Sequence, residues 1–216
     1  MPPLPRHSRP AFYLALTLLF TAWLRADPVI SEFLAANSNV RADSDGQFSD
    51  WIELYNPDAG PVDLAGWFLT DDAKALTKWQ FPAVTLPAGG YLVVYASDKN
   101  RRDPTKELHT NFALETNGEY LALVRPDGKT VASEFAPKYP AQLENISYGI
   151  TQPTAEGEKP VTGHFRTPTP GTRNGGLDTV LLLERVIFSR SPGPFSGSVS
   201  LTLSGAAAGQ RIRYTV

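Results

Sequence analysis

The chain has 216 residues, 20 Lys and Arg against 22 Asp and Glu, no Cys, and 42% hydrophobic residues, a composition typical of a globular protein. The absence of Cys excludes a disulfide framework and any thiolate metal site. The mildly acidic balance and the lack of a Lys/Arg cluster argue against nucleic acid as a partner, because phosphate binding needs clustered basic side chains.

The first segment of the chain predicts export. Basic residues near the start precede an apolar run over residues 11–24, which is shorter than the roughly 18 residues of a membrane-spanning helix. The pattern is typical of a signal peptide over residues 1–26, with cleavage after Ala26, and an uncleaved anchor is the alternative. Without residues 1–26 the formal count is 17 basic and 22 acidic side chains, a net charge of −5. We expect a secreted or cell-surface protein with no transmembrane span in the mature chain.

Residues 28–150 are predicted to form an antiparallel β-sandwich. Their apolar runs are short, rich in β-branched and aromatic residues, and bounded by Gly, Pro, Asn and Asp. No segment after residue 27 shows a sustained helical stripe. Period-2 alternation between turn signals predicts a set of inward-facing side chains: Ile52, Leu54, Leu64, Leu92, Val94, Leu121 and Leu123.

The remaining elements follow in chain order. Two alternating runs flank Pro126-Asp127-Gly128-Lys129, which predicts a hairpin. Residues 151–178 are dense in Pro, Gly and Thr, which indicates an extended terminal arm and linker. Strands are expected to resume over residues 179–216, where Val199, Leu201 and Leu203 face inward and pair with Ile212 and Tyr214.

The stretch from Phe48 to Asp72 concentrates aromatic residues around a turn. Trp51, Tyr55 and Trp67 are candidates for a ligand platform, because aromatic faces stack on the apolar faces of glycans. If Ile52 and Leu54 face the core, the two-residue period places Trp51 and Tyr55 on the opposite face of the strand. The alternative interpretation is that these rings are core or edge cover, as most aromatics in β-sandwiches are.

The segment "RADSDGQFSD" is a candidate Ca²⁺ site. Asp43, Asp45 and Asp50 bring three carboxylates into one Gly-containing loop, and Ca²⁺ accepts 6–8 oxygen ligands in flexible geometry. The spacing is not that of an EF-hand, since Gln47 replaces an acid and Gly46 comes too early. The alternative is an acidic turn whose Asp side chains accept hydrogen bonds from local backbone N–H groups.

The mature chain offers little for catalysis. Its only His residues are His109 and His164, which we interpret as surface or linker residues. Asp71 and Asp72 are adjacent, and adjacent strand residues point to opposite faces, so this pair is a poor candidate for glycoside hydrolysis. We therefore predict no catalytic residues.

Five motifs occur in one order along the chain: "SDWIELYNP", "PVDLAGWFLTDD", "LPAGGYLVVYAS", "LVRPDGKTV" and "TPTPGTRN". Together they resemble the lamin-tail domain family over roughly residues 28–175, which implies an immunoglobulin-like β-sandwich of the kind also found in exported bacterial proteins. No heptad rod precedes the domain, so the resemblance does not extend to nuclear scaffolding. The final segment "SPGPFSGSVSLTLSGAAAGQRIRYTV" resembles the start of a small β domain at the C-terminus of chitobiases and β-hexosaminidases. It implies a partial second domain in the N-terminal part of a longer protein.

Three functions remain open from the sequence. The first is a non-catalytic extracellular module that binds a glycan, a cell-envelope component or an extracellular protein, or that organises further domains of the same polypeptide. The second is the accessory region of an exported hydrolase or kinase-like enzyme whose catalytic domain lies beyond Val216. The third is a structural spacer without a ligand.

Overall fold

The structure, a computed structural model, describes residues 26–154, 157–177, 187–191, 193–204 and 212. Within these ranges every regular element is a strand. The strands are β1 (Val29–Leu34), β2 (Asp50–Tyr55), β3 (Val62–Asp63), β4 (Phe68–Thr70), β5 (Trp79–Gln80), β6 (Thr85–Leu86), β7 (Tyr91–Ala96), β8 (Leu108–His109), β9 (Leu121–Val124), β10 (Val131–Phe135), β11 (Ser147–Ile150), β12 (Thr162–Phe165), β13 (Ile187–Phe188) and β14 (Leu203–Ser204). None of the described residues belongs to a helix of the length and hydrophobicity that a bilayer crossing requires.

Two main sheets form the sandwich. The larger has six strands in the order β12-β11-β1-β2-β7-β8, and the smaller has four in the order β10-β9-β4-β5. All pairings in both sheets are antiparallel except β7 with β8, which is parallel. The predicted all-β, immunoglobulin-like sandwich is therefore confirmed.

The main hydrophobic core lies between these sheets. Its side chains come from one face of each sheet, including Ile30 and Ile52 from the six-stranded sheet and Leu69 and Leu123 from the four-stranded sheet. The seven predicted inward-facing residues all belong to this core; six are fully buried and Leu92 is half-buried against it. The regular β2–β7 register produces this result, because Ile52 pairs with Val94 and Leu54 pairs with Leu92 on the same face.

The predicted hairpin connects β9 and β10. Gly128 has φ 66°, and its N–H donates to the carbonyl of Arg125 at 2.9 Å. Arg125 in turn donates its N–H to Thr130. The Pro-Asp-Gly-Lys turn is confirmed, with Gly in the left-handed conformation.

The six-stranded sheet is covered on both faces. On the face away from the main core, Leu34, Trp51 and Tyr95 form a second buried cluster, against which Val40 and Val93 pack. We call this side of the sheet the outer face. Residues 151–178, predicted to be an arm, contribute β12 to the sheet edge and then hydrogen-bond to the outer face from Thr169 onward.

The described residues near the C-terminus form a small hairpin in which Phe188 of β13 pairs with Leu203 of β14. Phe188 and Phe195 are exposed, at 58% and 65%. Residues 1–25 of the predicted signal peptide and Tyr214 lie outside the described residues, and so does most of the strand expected before Ile187.

The contact between β1 and β11 requires Gly149. A Cβ added at Gly149 would lie 2.1 Å from the carbonyl oxygen of Ser31, and neither backbone can shift freely within the sheet. We expect Gly149→Ala to lower the free energy of unfolding by at least 1–3 kcal/mol, roughly the cost of overpacking. Urea denaturation followed by Trp fluorescence measures this loss. Gly176→Ala is the control, because a Cβ there meets nothing within 4 Å, and equal stability of the two variants would contradict the close approach.

Candidate functional site

The three candidate platform residues do not share a surface. Trp51 is fully buried in the outer-face cluster, whereas Trp67, 7% exposed, belongs to the main core on the other side of the sheet. Tyr55 is half-buried and stacks on Tyr91 with ring centroids 4.9 Å apart. Of the three residues, Tyr55 alone is not buried. For Trp51 and Trp67, the structure agrees with the core interpretation.

The acidic loop is folded around Asp43. The Asp43 carboxylate accepts hydrogen bonds from the backbone N–H groups of Asp45 and Gln47, each at 3.0 Å. Its second oxygen accepts the Ser49 hydroxyl at 3.0 Å and the Lys99 ammonium at 2.5 Å. The bonds from residues of the loop serve the turn itself, as the alternative interpretation proposed, whereas the bond from Lys99 comes from a distant segment.

Side-chain cations already neutralise this loop. Asp45 forms ion pairs with Lys99 at 2.8 Å and with Arg101 at 2.7 Å, and these partners hold the pKa of the Asp45 carboxyl well below its usual range. Asp50 is not part of the cluster: it accepts the Asn37 N–H at 3.2 Å, and burial raises its pKa to about 6. Among the described residues, no group of three or more His, Asp or Glu side chains is arranged to hold a metal ion. The three predicted Ca²⁺ ligands are therefore not brought together around a cation position.

The interpretation of His109 as a surface or linker residue is wrong. His109 is fully buried on β8, its ring stacks on Tyr95, and its Nδ1 lies 2.8 Å from the Ser97 hydroxyl. Burial lowers the pKa of its imidazole, which favours the neutral form and a packing role. His164 lies on β12 and packs its ring edge-to-face against Tyr148.

Asp71 and Asp72 serve a turn. Asp72 accepts the backbone N–H of Lys74 at 2.8 Å, and Asp71 forms an ion pair with Lys78 at 2.6 Å. Each carboxylate therefore has a local partner, and the two do not flank a common cleft.

A different pair of acids forms the most unusual site of the protein. Glu32 on β1 and Glu53 on β2 are cross-strand partners, and both are fully buried on the outer face. Carboxylates are almost never fully buried without partners. Their hydrogen bonds therefore indicate what this part of the sheet is for.

Glu32 receives its bonds mainly from the arm. The Thr169 N–H donates to the two carboxylate oxygens at 3.1 and 3.2 Å, and the Thr169 hydroxyl donates to one of them at 3.0 Å. The Ser147 hydroxyl of β11 donates to the other oxygen. Glu32 thus connects the arm to the middle of the six-stranded sheet.

Glu53 receives the next backbone group of the same segment. The Gly171 N–H donates to one oxygen of Glu53, and the Ser31 hydroxyl donates to the other at 2.7 Å. Gly171 has φ 89°, a conformation that glycine adopts without strain. Alternate N–H groups of "TPTPG" therefore face two adjacent carboxylates.

Asn174 completes the attachment. Its side-chain amide donates to the carbonyls of Ser31 at 2.9 Å and Ile150 at 2.7 Å, and its backbone N–H donates to the Gln152 side chain at 2.8 Å. Arg173 also donates to the Gln152 carbonyl. We call residues 169–174 the anchored arm.

Burial controls the electrostatics of the two acids. Desolvation raises the pKa of Glu32, against the lowering effect of its Ser147 and Thr169 hydrogen bonds. Desolvation also raises the pKa of Glu53 to about 7, with a further increase from the neighbouring charge of Glu32. The pair is sealed from solvent and fully engaged in hydrogen bonds, so its chemistry is attachment rather than proton transfer to a substrate.

Glu32, Glu53 and Asn174 are absent from the site residues that the sequence predicts. Alternation does place Glu53 on the same side as Trp51, and "TPTPGTRN" was noted as a motif. The missing information was that this motif folds back over that side. One signal could have suggested that Glu53 is buried. It lies in a strand two residues from a large aromatic side chain, and a Pro- and Gly-rich motif follows later in the chain.

The burial of Trp51 has a measurable consequence. Trp51→Ala should lower the free energy of unfolding by about 3–5 kcal/mol, because it opens a cavity in the outer-face cluster. Tyr55→Ala, at the half-exposed end of the same strand, should cost clearly less. Chemical denaturation of both variants measures the difference. An unchanged stability of Trp51→Ala, together with reduced glycan retention, would instead support the platform.

The raised pKa of Glu53 predicts how stability depends on pH. The usual Glu pKa is 4.5, so between pH 4.5 and about 7 the folded state binds more protons than the unfolded state. Stability should therefore fall by up to roughly 3 kcal/mol as pH rises through this window.

Glu53→Gln should reduce that fall, whereas Glu115→Gln, at an exposed position, should leave it unchanged. Burial also raises the pKa of Asp50 and of Glu32, so the comparison of parent and variant is needed to isolate Glu53. Urea unfolding at several pH values measures it. Parallel pH profiles for parent and Glu53→Gln would contradict the assignment.

Comparison with known proteins places this geometry in a family. The family model of the lamin tail domain matches residues 24–136, more than half of the chain. The comparison with curated proteins found no match. Lamin tail domains are non-catalytic, immunoglobulin-like domains that often serve as binding or organising modules. The sandwich and the family match together show that the chain belongs to the lamin tail domain family.

Proposed function

We propose that this chain is a non-catalytic module of a larger exported protein, and that it organises the segments or domains that follow it. The observation that carries the proposal is the anchored arm. Residues 169–174 follow the last strand of the sandwich, and two buried glutamates hold their backbone. The path of the chain as it leaves the sandwich is therefore fixed by the sheet itself.

The type of anchoring favours an organising role. The hydrogen bonds at Glu32 and Glu53 are buried, where solvent competes least with the N–H and hydroxyl donors. A solvated linker would need none of these groups. Burial of the two acids lowers the stability of the fold unless hydrogen bonds offset their desolvation. The arm supplies part of these bonds, so it must stay attached.

The sequence of the first 26 residues supports export, and the absence of Cys is compatible with it because the fold needs no disulfide. An organising module of this kind would serve an exported adhesion protein, and it would equally serve as the accessory region of an exported enzyme. In both cases the role of residues 26–177 is the same: to hold the following chain in a defined position.

A binding role has one specific observation in its favour. Tyr55 and Tyr91 form a stacked pair on the outer face and are only half-buried. Such a pair could stack on the apolar face of a glycan, and it replaces the buried Trp51 and Trp67 as the candidate aromatic surface.

Distance measurements between spin labels test the organising role. The chain contains no Cys, so spin labels react only with the Cys residues that are introduced. We choose Lys74→Cys, which is exposed on the sandwich, and Gly176→Cys, just after the anchored arm. We expect a single narrow distance distribution. Asn174→Ala should broaden it, because Ser31 and Ile150 lose their amide donor.

Thr172→Ala is the matched control. Thr172 is exposed in the same arm, and its hydroxyl donates only within the arm, to the Thr169 carbonyl at 3.2 Å. The distribution should stay narrow in this variant. A broad distribution in the parent chain, or equal distributions in the parent and Asn174→Ala, would contradict the organising role.

A further inference from the structure

We propose that the edge of β7 at Tyr91–Val93 binds an extended peptide segment of another protein by strand addition. This inference goes beyond the organising role, since it concerns the backbone edge of β7 and not the buried carboxylates, although Gly171 of the anchored arm also lines the groove beside that edge. The segment would alternate apolar and acidic side chains. The proposal rests on the backbone phase of β7, the short length of β8, and the groove beside them.

Hydrogen bonds at both ends of β7 fix the backbone phase of the strand, that is, which residues direct their N–H and C=O groups toward β2. The Asn56 N–H donates to the Gly90 carbonyl at 3.0 Å, so Gly90 and, by alternation, Leu92 and Val94 direct their backbone groups toward β2. At the other end the Thr110 N–H donates to the Tyr95 carbonyl at 2.8 Å, on the side away from β2. Tyr91 and Val93 share the phase of Tyr95 and therefore direct their N–H and C=O groups away from β2.

The neighbouring strand reaches only one of these groups: the parallel pairing of Val94 with Leu108 uses the Val93 carbonyl and leaves the Val93 N–H and both Tyr91 groups without a partner on that strand. β8 pairs only with Val94 and Tyr95, and the preceding residues turn away through a bond from the Lys106 N–H to the Asp103 carbonyl at 3.1 Å. No other strand in the described part of the chain pairs with β7 on this side. The edge thus presents backbone donors and acceptors in the spacing that an added strand requires.

A groove of about 360 Å³ runs along this edge. Its walls combine apolar and charged residues, among them Val84, Leu92, Pro104, Arg41, Lys106 and Glu107. The groove therefore offers apolar contact for alternate side chains of a bound strand, beside the backbone edge.

The free charge of the groove is positive. Two cations, Arg41 and Lys106, stand against one carboxylate, Glu107, which accepts the Ser44 N–H at 2.6 Å. Lys106 is 77% exposed and has only a distant acid partner, Asp103, at 3.9 Å. Arg41 is exposed and held in place by a bond from its Nε to the Tyr95 hydroxyl at 3.0 Å. These two cations are complementary to carboxylates on the bound segment.

The same charges argue against a second copy of this chain as the occupant. A two-fold pairing of one β7 edge with another would bring the same basic groove residues close together in both copies. A peptide with acidic residues avoids this repulsion. Carbohydrate lacks the regular backbone N–H and C=O pattern that the edge presents.

A phage-displayed library of random 12-residue peptides, selected on the full chain, provides the probe. We expect enrichment of sequences that alternate apolar and acidic residues. For a synthesised selected peptide, titration calorimetry should show binding that is about fivefold weaker to Lys106→Glu, as reversal of a surface charge predicts. Lys129→Glu, at an exposed position in the β9–β10 turn, should bind as the parent does.

The backbone contribution is tested in two ways. Val93→Pro removes an N–H that points away from β2, a position where an edge strand tolerates Pro, and it should abolish binding while the chain remains folded by circular dichroism. In the unmodified chain, a peptide at ten times its Kd should slow hydrogen exchange of the Tyr91 and Val93 amides about tenfold.

Several results would overturn the proposal: no enriched peptide, enrichment without acidic residues, or unchanged exchange at Tyr91 and Val93 in the presence of bound peptide. The exchange measurement decides the case even if Val93→Pro does not fold. The organising role is measured by the spin-label distances in the absence of peptide, so failure here would leave that role intact.

Discussion

The burial of Glu32 and Glu53 is the constraint on which the outer face of the sandwich depends. Two adjacent carboxylates cannot be removed from water without donors, and the hydroxyls of Ser31 and Ser147 supply only part of them. The arm supplies the rest through Thr169 and Gly171. The six-stranded sheet is therefore buried on both faces near β1 and β2, and the chain that leaves the sandwich becomes part of it.

Period-2 alternation predicted the main core, because side chains such as Ile52 and Leu123 depend only on strand direction and register. It did not predict the outer face. The sequence leaves open whether Trp51 is buried or exposed, because its burial depends on the loop around Val40 packing against it. Glu53 is buried beneath the arm, which it contacts 118 residues further along the chain, and His109 is buried on a two-residue strand against Tyr95. Local pattern carries no information on either contact.

The family and the geometry lead to the same general function. Lamin tail domains often serve as binding or organising modules. In this chain the anchored arm crosses the outer face at β1 and β2 and reaches the groove through Gly171, whereas the open backbone edge lies at β7, next to the short β8. One sandwich can therefore hold the following chain in position while a partner segment adds to its edge. The acidic loop contributes structure to this arrangement, with Asp43 tied to Lys99.

The central claim is that buried carboxylates hold the arm on the sheet, and amide hydrogen exchange of Thr169 and Gly171 tests it most directly. Both N–H groups donate to the buried glutamates, so their exchange should be as slow as that of β2 amides such as Leu54, within about tenfold. The exposed Gly175 amide, just beyond the arm, should exchange rapidly under the same conditions. Exchange of Thr169 and Gly171 at the rate of Gly175 would show that the arm is not attached and would contradict the account.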